Sequence, residues 1–544
     1  MSLHHRIFLA LSVSALAVLA ACGGNNGSSV TNPTPPPSGG FSVSNLKGTY
    51  VFSVAGTDTN GYAYAAVGTF TANGSGAISA GTIDLNDDGF AASNPVITPA
   101  ANVAITSGSA YKIGVDGRGS ATLQCATPFG NAIVLDFVLQ DSTHGLVTEF
   151  DQAASGSGTL DLQSSSVTPA GSYAFIFSGA YNGSTVATVG NFTVGTGGAL
   201  TGLVDLNSLG IPYAEETLTG SLTLGPSTSP ATQILAAPSS GTPNFTMTYD
   251  VYAIDATHMK FIEMDSTGTL AGDAYAQTST TVPTGALAFT LLGSTSSTVT
   301  AAGGFMVTDG NGNITNASTE DVNNTGSVSA APITFSGTYA AAGTGRYTLS
   351  GFSGFVGATE LAAYPSSGGL LLLEIDTGGT MAGAAYQQTA GSTLAASEGY
   401  ALNLSGVNLG AATGSSAEID DIAEFASAGS GLTLSGVTDE NYAPGGVPNY
   451  GLALSGNYTT PDTNGRGQLG ANAGNSSNGT LNGGFDVTYY AVDGTTFPFI
   501  ETDNGQVALG VFLKQNSTAS SAALRTTHPF FAPSLLHLRA SRKK

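Results

Sequence analysis

The chain is poor in charge, and above all in basic residues. Only 9% of its 544 residues are charged, and 36 acidic residues face 13 basic ones, giving a net charge of −23. Six basic residues lie at the two ends, Arg6 and five from Arg525 onward, so seven remain for the body of the chain. Because non-specific nucleic-acid binding needs Lys and Arg against phosphate, this composition excludes a nucleic-acid partner.

Several functional signatures are also missing. Trp is absent, which weakens a carbohydrate-binding interpretation because sugar platforms favour large aromatic faces. The sequence has no Gly-Lys dipeptide, no His-Glu-x-x-His and no Gly-x-Ser-x-Gly. It therefore lacks the signatures of P-loop enzymes, of zincins and of hydrolases with a nucleophile elbow, respectively. No stretch keeps a 3.6-residue apolar period, which argues against helices. We therefore expect a protein that is not an enzyme.

The N-terminus has the parts of an export signal. A basic start with Arg6 precedes an apolar run, Ile7 to Leu19, that is too short to span a bilayer comfortably. The sequence Leu19-Ala20-Ala21-Cys22 resembles the lipobox of bacterial lipoproteins. That resemblance implies cleavage before Cys22 and its acylation, with membrane lipid as the partner of the acyl chains. Gly23 stands at the position after the cysteine where some bacterial lipoproteins have an Asp that acts as a retention signal. We therefore expect this chain to reach the outer membrane of a Gram-negative cell envelope.

Composition divides the chain into seven segments. Residues 23–40 are rich in Gly, Ser, Asn and Pro, which is typical of a tether. The basic tail is interpreted as a frayed end, with lipid or phosphate contact as the alternative. The predicted segments are a signal peptide at 1–21, a lipidated Cys and tether at 22–45, β repeats at 46–165, 166–281, 282–393 and 394–517, and a basic tail at 518–544.

Three landmarks recur in the same order in each repeat of about 115 residues. The first is an alternating apolar strand closed by Gly, and it begins at Tyr50, Tyr173, Leu287 and Tyr400. The second is Asp-x-Asn, at Asp84/Asn86, Asp205/Asn207, Asp321/Asn323 and Asp439/Asn441. The third is Glu-x-Asp followed at fixed spacing by Gln, at Glu149/Asp151/Gln163, Glu263/Asp265/Gln277, Glu374/Asp376/Gln388 and Glu501/Asp503/Gln515. A period of this length is domain-sized, so each repeat can bury its own core.

Short alternating strands separated by Gly, Asn, Asp and Ser predict an all-β antiparallel meander. We expect four tandem domains, each a small closed or nearly closed barrel of about eight strands, with a two-sheet sandwich as the alternative. The polar tether and basic end argue against one transmembrane barrel built from all four repeats. We expect the domains to follow one another like beads. Cys125, left without an intramolecular partner, is expected to be a small buried side chain.

The repeated carboxylates are the candidates for chemistry. Because residues i and i+2 of a strand share a face, each Glu-x-Asp pair could bind a divalent cation or act as acid and base. An active site is rarely present four times, so we favour a structural role. In that role the Glu is bonded inside its repeat and the Asp bonds the following turn.

Three of the scarce arginines occupy one repeat position, each after a Tyr and a Gly. We predict structural charge pairs, and these are Arg118 with Glu149, Arg346 with Glu374 and Arg466 with Glu501. The second repeat has no matching arginine, so Glu263 needs another partner.

Two Asp-rich segments resemble calcium loops. Residues 84–89 begin like an EF-hand loop, but Pro95 stands at the twelfth position. We interpret this segment and Asp309–Asn313 as hairpin turns and expect no cofactor and no metal, with surface calcium as an alternative. His144 and His258 occupy equivalent turns on the strand face opposite the carboxylates, and we expect no shared catalytic role.

The favoured function is a non-enzymatic envelope lipoprotein that displays repeated β-domains for structural or adhesive binding. Its partner would be an envelope protein or polysaccharide. One alternative is a carrier of small apolar molecules, with one cavity per barrel lined by Phe, Leu and Val. A less favoured alternative is a hydrolase that uses one diverged acidic pair in an open cleft.

Overall fold

The computed structural model describes residues 40–518, apart from 90–98, 129, 165–167, 182–183, 224–230, 237–245, 267, 296–297, 411–416, 429–430, 445–447 and 474–483. The predicted signal peptide, Cys22, most of the tether and nearly all of the basic tail lie outside the described residues. Within those residues, no helix is both long enough and apolar enough to cross a membrane. The regular structure is almost all strand, with 3-10 turns at Val43–Asn45 and Thr196–Gly198.

The described residues form 34 strands in four antiparallel sheets, named barrels 1 to 4 in chain order. Barrel 1 contains β1 (Lys47–Asp58), β2 (Ala63–Asn73), β3 (Ile78–Asp87), β4 (Ala100–Ile105), β5 (Ala110–Ile113), β6 (Arg118–Thr127), β7 (Gly130–Leu139), β8 (His144–Phe150) and β9 (Ala154–Leu162). Barrel 2 contains β10 (Gly171–Tyr181), β11 (Ser184–Val194), β12 (Ala199–Ser208), β13 (Ile211–Leu222), β14 (Ala231–Ala236), β15 (Thr246–Asp255), β16 (His258–Glu263) and β17 (Gly268–Ala276). Barrel 3 contains β18 (Gly285–Ser294), β19 (Val299–Thr308), β20 (Asn313–Asn324), β21 (Ser327–Val328), β22 (Ile333–Ala341), β23 (Tyr347–Ser353), β24 (Leu361–Ser366), β25 (Gly369–Glu374) and β26 (Thr380–Gln387). Barrel 4 contains β27 (Gly399–Asn408), β28 (Ala417–Ser427), β29 (Thr433–Ala443), β30 (Asn449–Tyr458), β31 (Arg466–Ala473), β32 (Gly484–Tyr490), β33 (Thr496–Glu501) and β34 (Gln506–Lys514).

The sheets are meanders that close on themselves. In barrels 2 and 4 the first strand pairs with the last, so both are closed eight-stranded barrels. In barrel 3 the pairing of β19 with β20 completes the circuit. Barrel 1 is a curled nine-stranded sheet, and the bridge between Ala77, just before β3, and Ala110 of edge strand β5 brings its two sides together. The all-β, barrel-like prediction is confirmed, and the two-sheet sandwich is not formed.

Each barrel has its own apolar core, built from the alternate residues of its strands. In barrel 1 the opening strand contributes Tyr50, Phe52 and Val54. Cys125 lies in the same core as a free buried thiol, as predicted. Burial raises the pKa of Cys125 to about 11, so the thiol is not a ready nucleophile at neutral pH.

The barrels do not follow one another like beads, and that expectation is wrong. One apolar cluster packs barrel 2 on barrel 3 and barrel 3 on barrel 4. Smaller clusters pack barrel 1 on barrel 2 and barrel 4 on barrel 1. We call these four contacts seam 1–2, seam 2–3, seam 3–4 and seam 4–1. Each barrel offers one face to the next and a different face to the previous one, and such head-to-tail contacts form a ring when the rotation closes.

The described chain begins and ends at seam 4–1. The side-chain amide of Asn45 donates to the carbonyl of Ser517 at 3.0 Å. The backbone amide of Asn516 donates to Gln140 of barrel 1 at 2.7 Å. The last residues after barrel 4 therefore lie against the first residues before barrel 1, which closes the ring.

Candidate functional site: the seams between barrels

The Asn of each Asp-x-Asn landmark reaches into the next barrel, where it meets that barrel's Glu-x-Asp landmark. The two landmarks are halves of one contact, repeated at all four seams. Each Asn side chain donates to the carbonyl of the neighbouring Glu and to a second carbonyl at the start of the following strand. The pairs are Asn86 to Glu263 and Gly268 at 2.7 and 2.7 Å, Asn207 to Glu374 and Gly379 at 2.8 and 2.8 Å, Asn323 to Glu501 and Gln506 at 3.0 and 2.8 Å, and Asn441 to Glu149 and Ala154 at 2.9 and 2.9 Å.

The Gln that ends each repeat makes a second repeated contact across the same seam. Its side-chain amide donates to a backbone carbonyl of the next barrel, so a buried carbonyl beyond the strand ladder is satisfied. The pairs are Gln163 to Ala253 at 2.7 Å, Gln277 to Pro365 at 2.8 Å, Gln388 to Ala491 at 2.8 Å and Gln515 to Leu139 at 2.9 Å.

The Asp of the Asp-x-Asn landmark forms the ion pair of the seam. Asp205 accepts two hydrogen bonds of 2.7 Å from Arg346 of barrel 3, and both side chains are fully buried. The hydroxyl of Tyr364 donates to the same carboxylate at 2.5 Å. At seam 3–4, Asp321 is held in the same way by Arg466, with two hydrogen bonds of 2.8 Å. These are bidentate pairs, the strong form of an Arg–carboxylate contact.

The predicted pairs of Arg118, Arg346 and Arg466 with Glu149, Glu374 and Glu501 are wrong. The physical reason is strand alternation. In β25, Leu370 and Leu372 point into the core of barrel 3, whereas Leu371 and Leu373 point into the seam. Glu374 therefore faces the barrel interior, while Arg346 points outward to the neighbouring barrel. Arg118 pairs with Asp116 at 2.8 Å and with Asp439 of barrel 4 at 3.5 Å.

The interior glutamates are kept neutral rather than paired with a cation. Glu149, Glu263, Glu374 and Glu501 are each 1% exposed or less. Burial and the neighbouring Asp raise the pKa of Glu374 to about 9, and the pKa values of the other three are also well above the usual range. A hydrolase with one diverged acidic pair would place that pair in an open cleft, and none of these four glutamates lies in one.

The Asp of each Glu-x-Asp pair ties down the strand end, in agreement with the structural interpretation. Asp151, Asp376 and Asp503 accept from the backbone amides of Ala153, Gly378 and Gly505 at 2.8, 2.7 and 2.7 Å. Asp265 accepts from the amide of Thr248 at 3.1 Å.

Seam 1–2 lacks the arginine and uses other groups. Asp84 accepts from the hydroxyl of Tyr252 at 2.7 Å, and burial raises the pKa of Asp84 to about 7. Residues 84–87 lie in β3, so the hairpin interpretation of this segment is wrong. By contrast, Asp309 caps its own turn through the amides of Asn311 and Asn313 at 2.7 and 3.0 Å, as expected.

A charged network in seam 1–2 was not predicted. Lys260 of barrel 2 lies 3.0 Å from Asp273 and 3.5 Å from Asp161 of barrel 1. His144 lies 2.7 Å from Asp161, and His258 lies 2.7 Å from Asp273, so the two histidines are at the two ends of this network. Burial alone would raise the pKa of Asp161, but His144 and Lys260 outweigh it and lower that pKa. The signal in the sequence was that His144 and His258 occupy equivalent turns of two repeats.

A small cavity lies between two of the barrels. A cavity of about 30 Å³ between barrels 1 and 2 is lined by Ser53, Ser157, Thr159 and Asp273 among others. That is room for roughly one water molecule. Within the described part of the chain, no three His, Cys, Asp or Glu side chains come together in a way that could hold a metal ion.

Aromatic rings occupy the interior of the barrels where a carrier would need space. In barrel 2, Phe177 lies 4.7 Å from Phe175, 5.0 Å from Phe261 and 5.1 Å from Tyr249 between ring centres. In barrel 4, Phe512 lies 4.8 Å from Phe497. Such rings are packed at contact distance.

No protein-family model and no curated protein matches the chain. Among solved structures it is similar to the isotype 1 transferrin binding protein B (TbpB) from serogroup B Neisseria meningitidis, at 10% identity and a TM-score of 0.19, with 68% of this chain and 82% of that chain covered. It is also similar to the intact Ap-TbpB with its N and C lobes, at 11% identity and a TM-score of 0.18, with 90% and 98% covered. These values are too low for either likeness to bear on what this chain binds or how its barrels are arranged.

Proposed function

We propose that the protein is a lipid-anchored, non-enzymatic component of the outer membrane of a Gram-negative cell envelope. Its ring of four barrels presents surfaces to an envelope protein or polysaccharide. The observation that carries the proposal is the use of the repeated polar landmarks. The polar side chains that were candidates for chemistry instead make contacts at the seams and at the strand ends, as in the buried pair of Asp205 and Arg346.

The position of the chain ends supports the anchored arrangement. Because Asn45 and Ser517 are hydrogen-bonded, the tether and the tail leave the ring at the same place. A tether from an acylated Cys22 would therefore hold seam 4–1 toward the lipid and leave the far side of the ring accessible. The four barrels present equivalent surfaces, and these favour a partner that is itself repetitive. Once one weak contact has formed, it raises the effective concentration for the next.

The outer strands fit a role in binding rather than catalysis. In strands β13 and β22 the residues are exposed or half-buried, apart from the buried Leu218, Leu222 and Phe335, and the exposed ones include Thr, Ser and Glu side chains. Such a surface offers hydroxyl and carboxylate groups to a polar polymer or to a protein edge. It carries few cations, so an anionic partner would be repelled.

The anchor is tested with the matched variant Cys22→Ser. The exported wild-type chain should incorporate labelled palmitate and sediment with membranes, whereas C22S should incorporate none and stay in the supernatant. Equal sedimentation of both chains would contradict the lipid anchor.

The binding role is tested separately with purified C22S ring immobilised on beads and exposed to detergent-solubilised envelope material. Retention of a defined protein or polysaccharide, competed by free ring, is the expected result. Turnover of ester, glycoside or peptide substrates by the same preparation would overturn the non-enzymatic assignment.

A further inference from the structure

Seam 4–1 differs chemically from the other three seams at one equivalent position. In each barrel the second strand pairs with the first, and one residue of that pairing faces the next barrel. In β2, β11 and β19 this residue is Ala65, Ala187 or Ala301, paired with Ala55, Ser178 and Leu292. In β28 it is Asp420, paired with Ser405. A small apolar contact is thus replaced by a carboxyl group only where the ring closes.

Asp420 and its neighbour Glu418 are bonded to hydroxyl groups of barrel 1. Asp420 accepts from Ser155 at 2.6 Å and from Ser157 at 2.7 Å. Glu418 accepts from the hydroxyl of Thr57. Both carboxyl groups are almost fully buried, and one oxygen of Glu418 has no hydrogen-bond partner. Neither one has a cation in contact among the described residues.

The surroundings add further buried carboxyl groups. Glu424 of the same strand is also buried in the seam, and its pKa is raised by burial and by Asp116 despite the opposing effect of Arg118. Asp439 and Asp136 face each other across the seam, and burial is the main cause that raises the pKa of each. Among the titratable groups, Glu149 of barrel 1 and Asp420 act on each other, Asp116 and Arg118 of barrel 1 act on Glu424, and Asp439 and Glu440 of barrel 4 act on Asp421 of β28 itself. Lys112 and Arg118 both act on Asp136, so these two cations face a larger number of carboxyl groups.

We propose that seam 4–1 is a pH-sensitive latch, closed while Glu418 and Asp420 are neutral and opened when they ionise against each other and their acidic neighbours. Opening would separate barrel 4 from barrel 1 and leave seams 2–3 and 3–4 closed, because a bidentate arginine–carboxylate pair holds each of them. The ring would become an open chain of barrels whose two ends carry the tether and the tail. This device is independent of which partner the ring binds.

The direction of the effect follows from the protonation of the two groups. Burial raises the pKa of Asp420 to about 6, because the hydroxyl donors only partly offset desolvation. The pKa of Glu418 is raised well above its usual range by burial and by Asp420. A group with a raised pKa in the folded state stabilises the fold at acid pH and loses that contribution as pH rises through the folded value. The latch is therefore closed in acid, and it loses the contribution of Asp420 as pH rises from the usual carboxyl range to about 6, while the loss from Glu418 continues at higher pH.

The latch is tested by measuring spin-label distances in the full exported chain. One label pair spans seam 4–1, on Ser107 of barrel 1 and Ser435 of barrel 4, and the reference pair spans seam 2–3, on Ser221 and Thr334; all four positions are exposed. At about pH 5 both pairs should give one distance. At about pH 8 the first pair should show a second, longer population while the second pair stays unchanged.

The paired variant Glu418→Gln/Asp420→Asn keeps both side chains neutral at every pH and should remain closed at about pH 8. The matched control is Glu320→Gln in barrel 3, whose carboxyl is buried with a pKa of about 8 but lies away from seam 4–1. This control should open like the wild type. Circular dichroism at both pH values checks that each chain is folded.

Three results would overturn the latch. The first is a single unchanged distance in the wild type at both pH values. The second is opening of the E418Q/D420N chain to the same extent as the wild type. The third is simultaneous lengthening of the reference pair, which would mean general loosening of the ring.

Discussion

Replacing Arg346 with Met tests whether the buried pairs hold the ring together. Arg346 and Asp205 have no exposed side-chain surface, and two contacts of 2.7 Å join them. Removing the guanidinium leaves the carboxylate of Asp205 buried at seam 2–3 with the hydroxyl of Tyr364 as its remaining side-chain donor. An uncompensated buried charge of this kind costs about 3–5 kcal/mol. We expect R346M to lower the free energy of unfolding by that amount.

The assay is urea denaturation followed by far-ultraviolet circular dichroism, since the chain has no Trp. The double variant R346M/Asp205→Asn removes both charges and should be more stable than R346M alone, because replacing both partners avoids the stranded charge. Arg466→Met provides a graded comparison, since its side chain is 20% exposed and water can screen the remaining Asp321. R466M should therefore lower the free energy of unfolding by a smaller amount, about 1–3 kcal/mol.

The reasoning is refuted if R346M costs less than about 1 kcal/mol, the value typical of surface pairs. It is also refuted if R346M/D205N loses the sum of the stabilities lost by R346M and by Asp205→Asn alone, because the effects of coupled partners do not add. The exposed Lys47→Met chain gives the baseline for losing a cation.

Three further predictions concern single residues. Asn207→Ala strips the carbonyls of Glu374 and Gly379 of their donor and should cost about 1–3 kcal/mol in urea, whereas the exposed control Asn316→Ala should cost nothing measurable. Glu374→Gln keeps the side chain neutral at every pH. The wild type loses the stabilising contribution of neutral Glu374 as pH rises from 4.5 toward about 9. The variant should therefore be more stable than the wild type at about pH 8, by on the order of 3 kcal/mol, and as stable as the wild type at about pH 4. Equal pH profiles would show that Glu374 does not titrate as described. Cys125 should react with a thiol reagent only after urea unfolds barrel 1, and rapid labelling of the native chain would contradict its burial.

Much of the fold was predictable because local pattern decides it. The alternation of Tyr50, Phe52 and Val54 and its equivalents specifies which strand face is buried. Turn residues between short strands specify the meander. These signals act within a few residues, so the strands and barrel-like closure followed from the sequence.

The partners of the polar landmarks were not predictable in the same way. Asp205 and Arg346 are 141 residues apart and belong to different barrels. A prediction that treats each repeat as self-contained pairs Arg346 with Glu374 of its own repeat, and strand alternation forbids that contact. One signal was available. The repeat that lacks the arginine is the second, and the landmark that lacks an arginine partner is Asp84 of the first, which points to pairing between successive repeats.

The closed ring is tested most directly by the distance between its two ends. Spin labels on Ser44 and Thr518, both exposed, flank the contact between Asn45 and Ser517. Four compact domains of this size in a row would separate the labels by more than about 60 Å. The ring predicts one short distance, below about 30 Å once label length is included. A dominant population beyond about 60 Å at about pH 5 would contradict the closed ring.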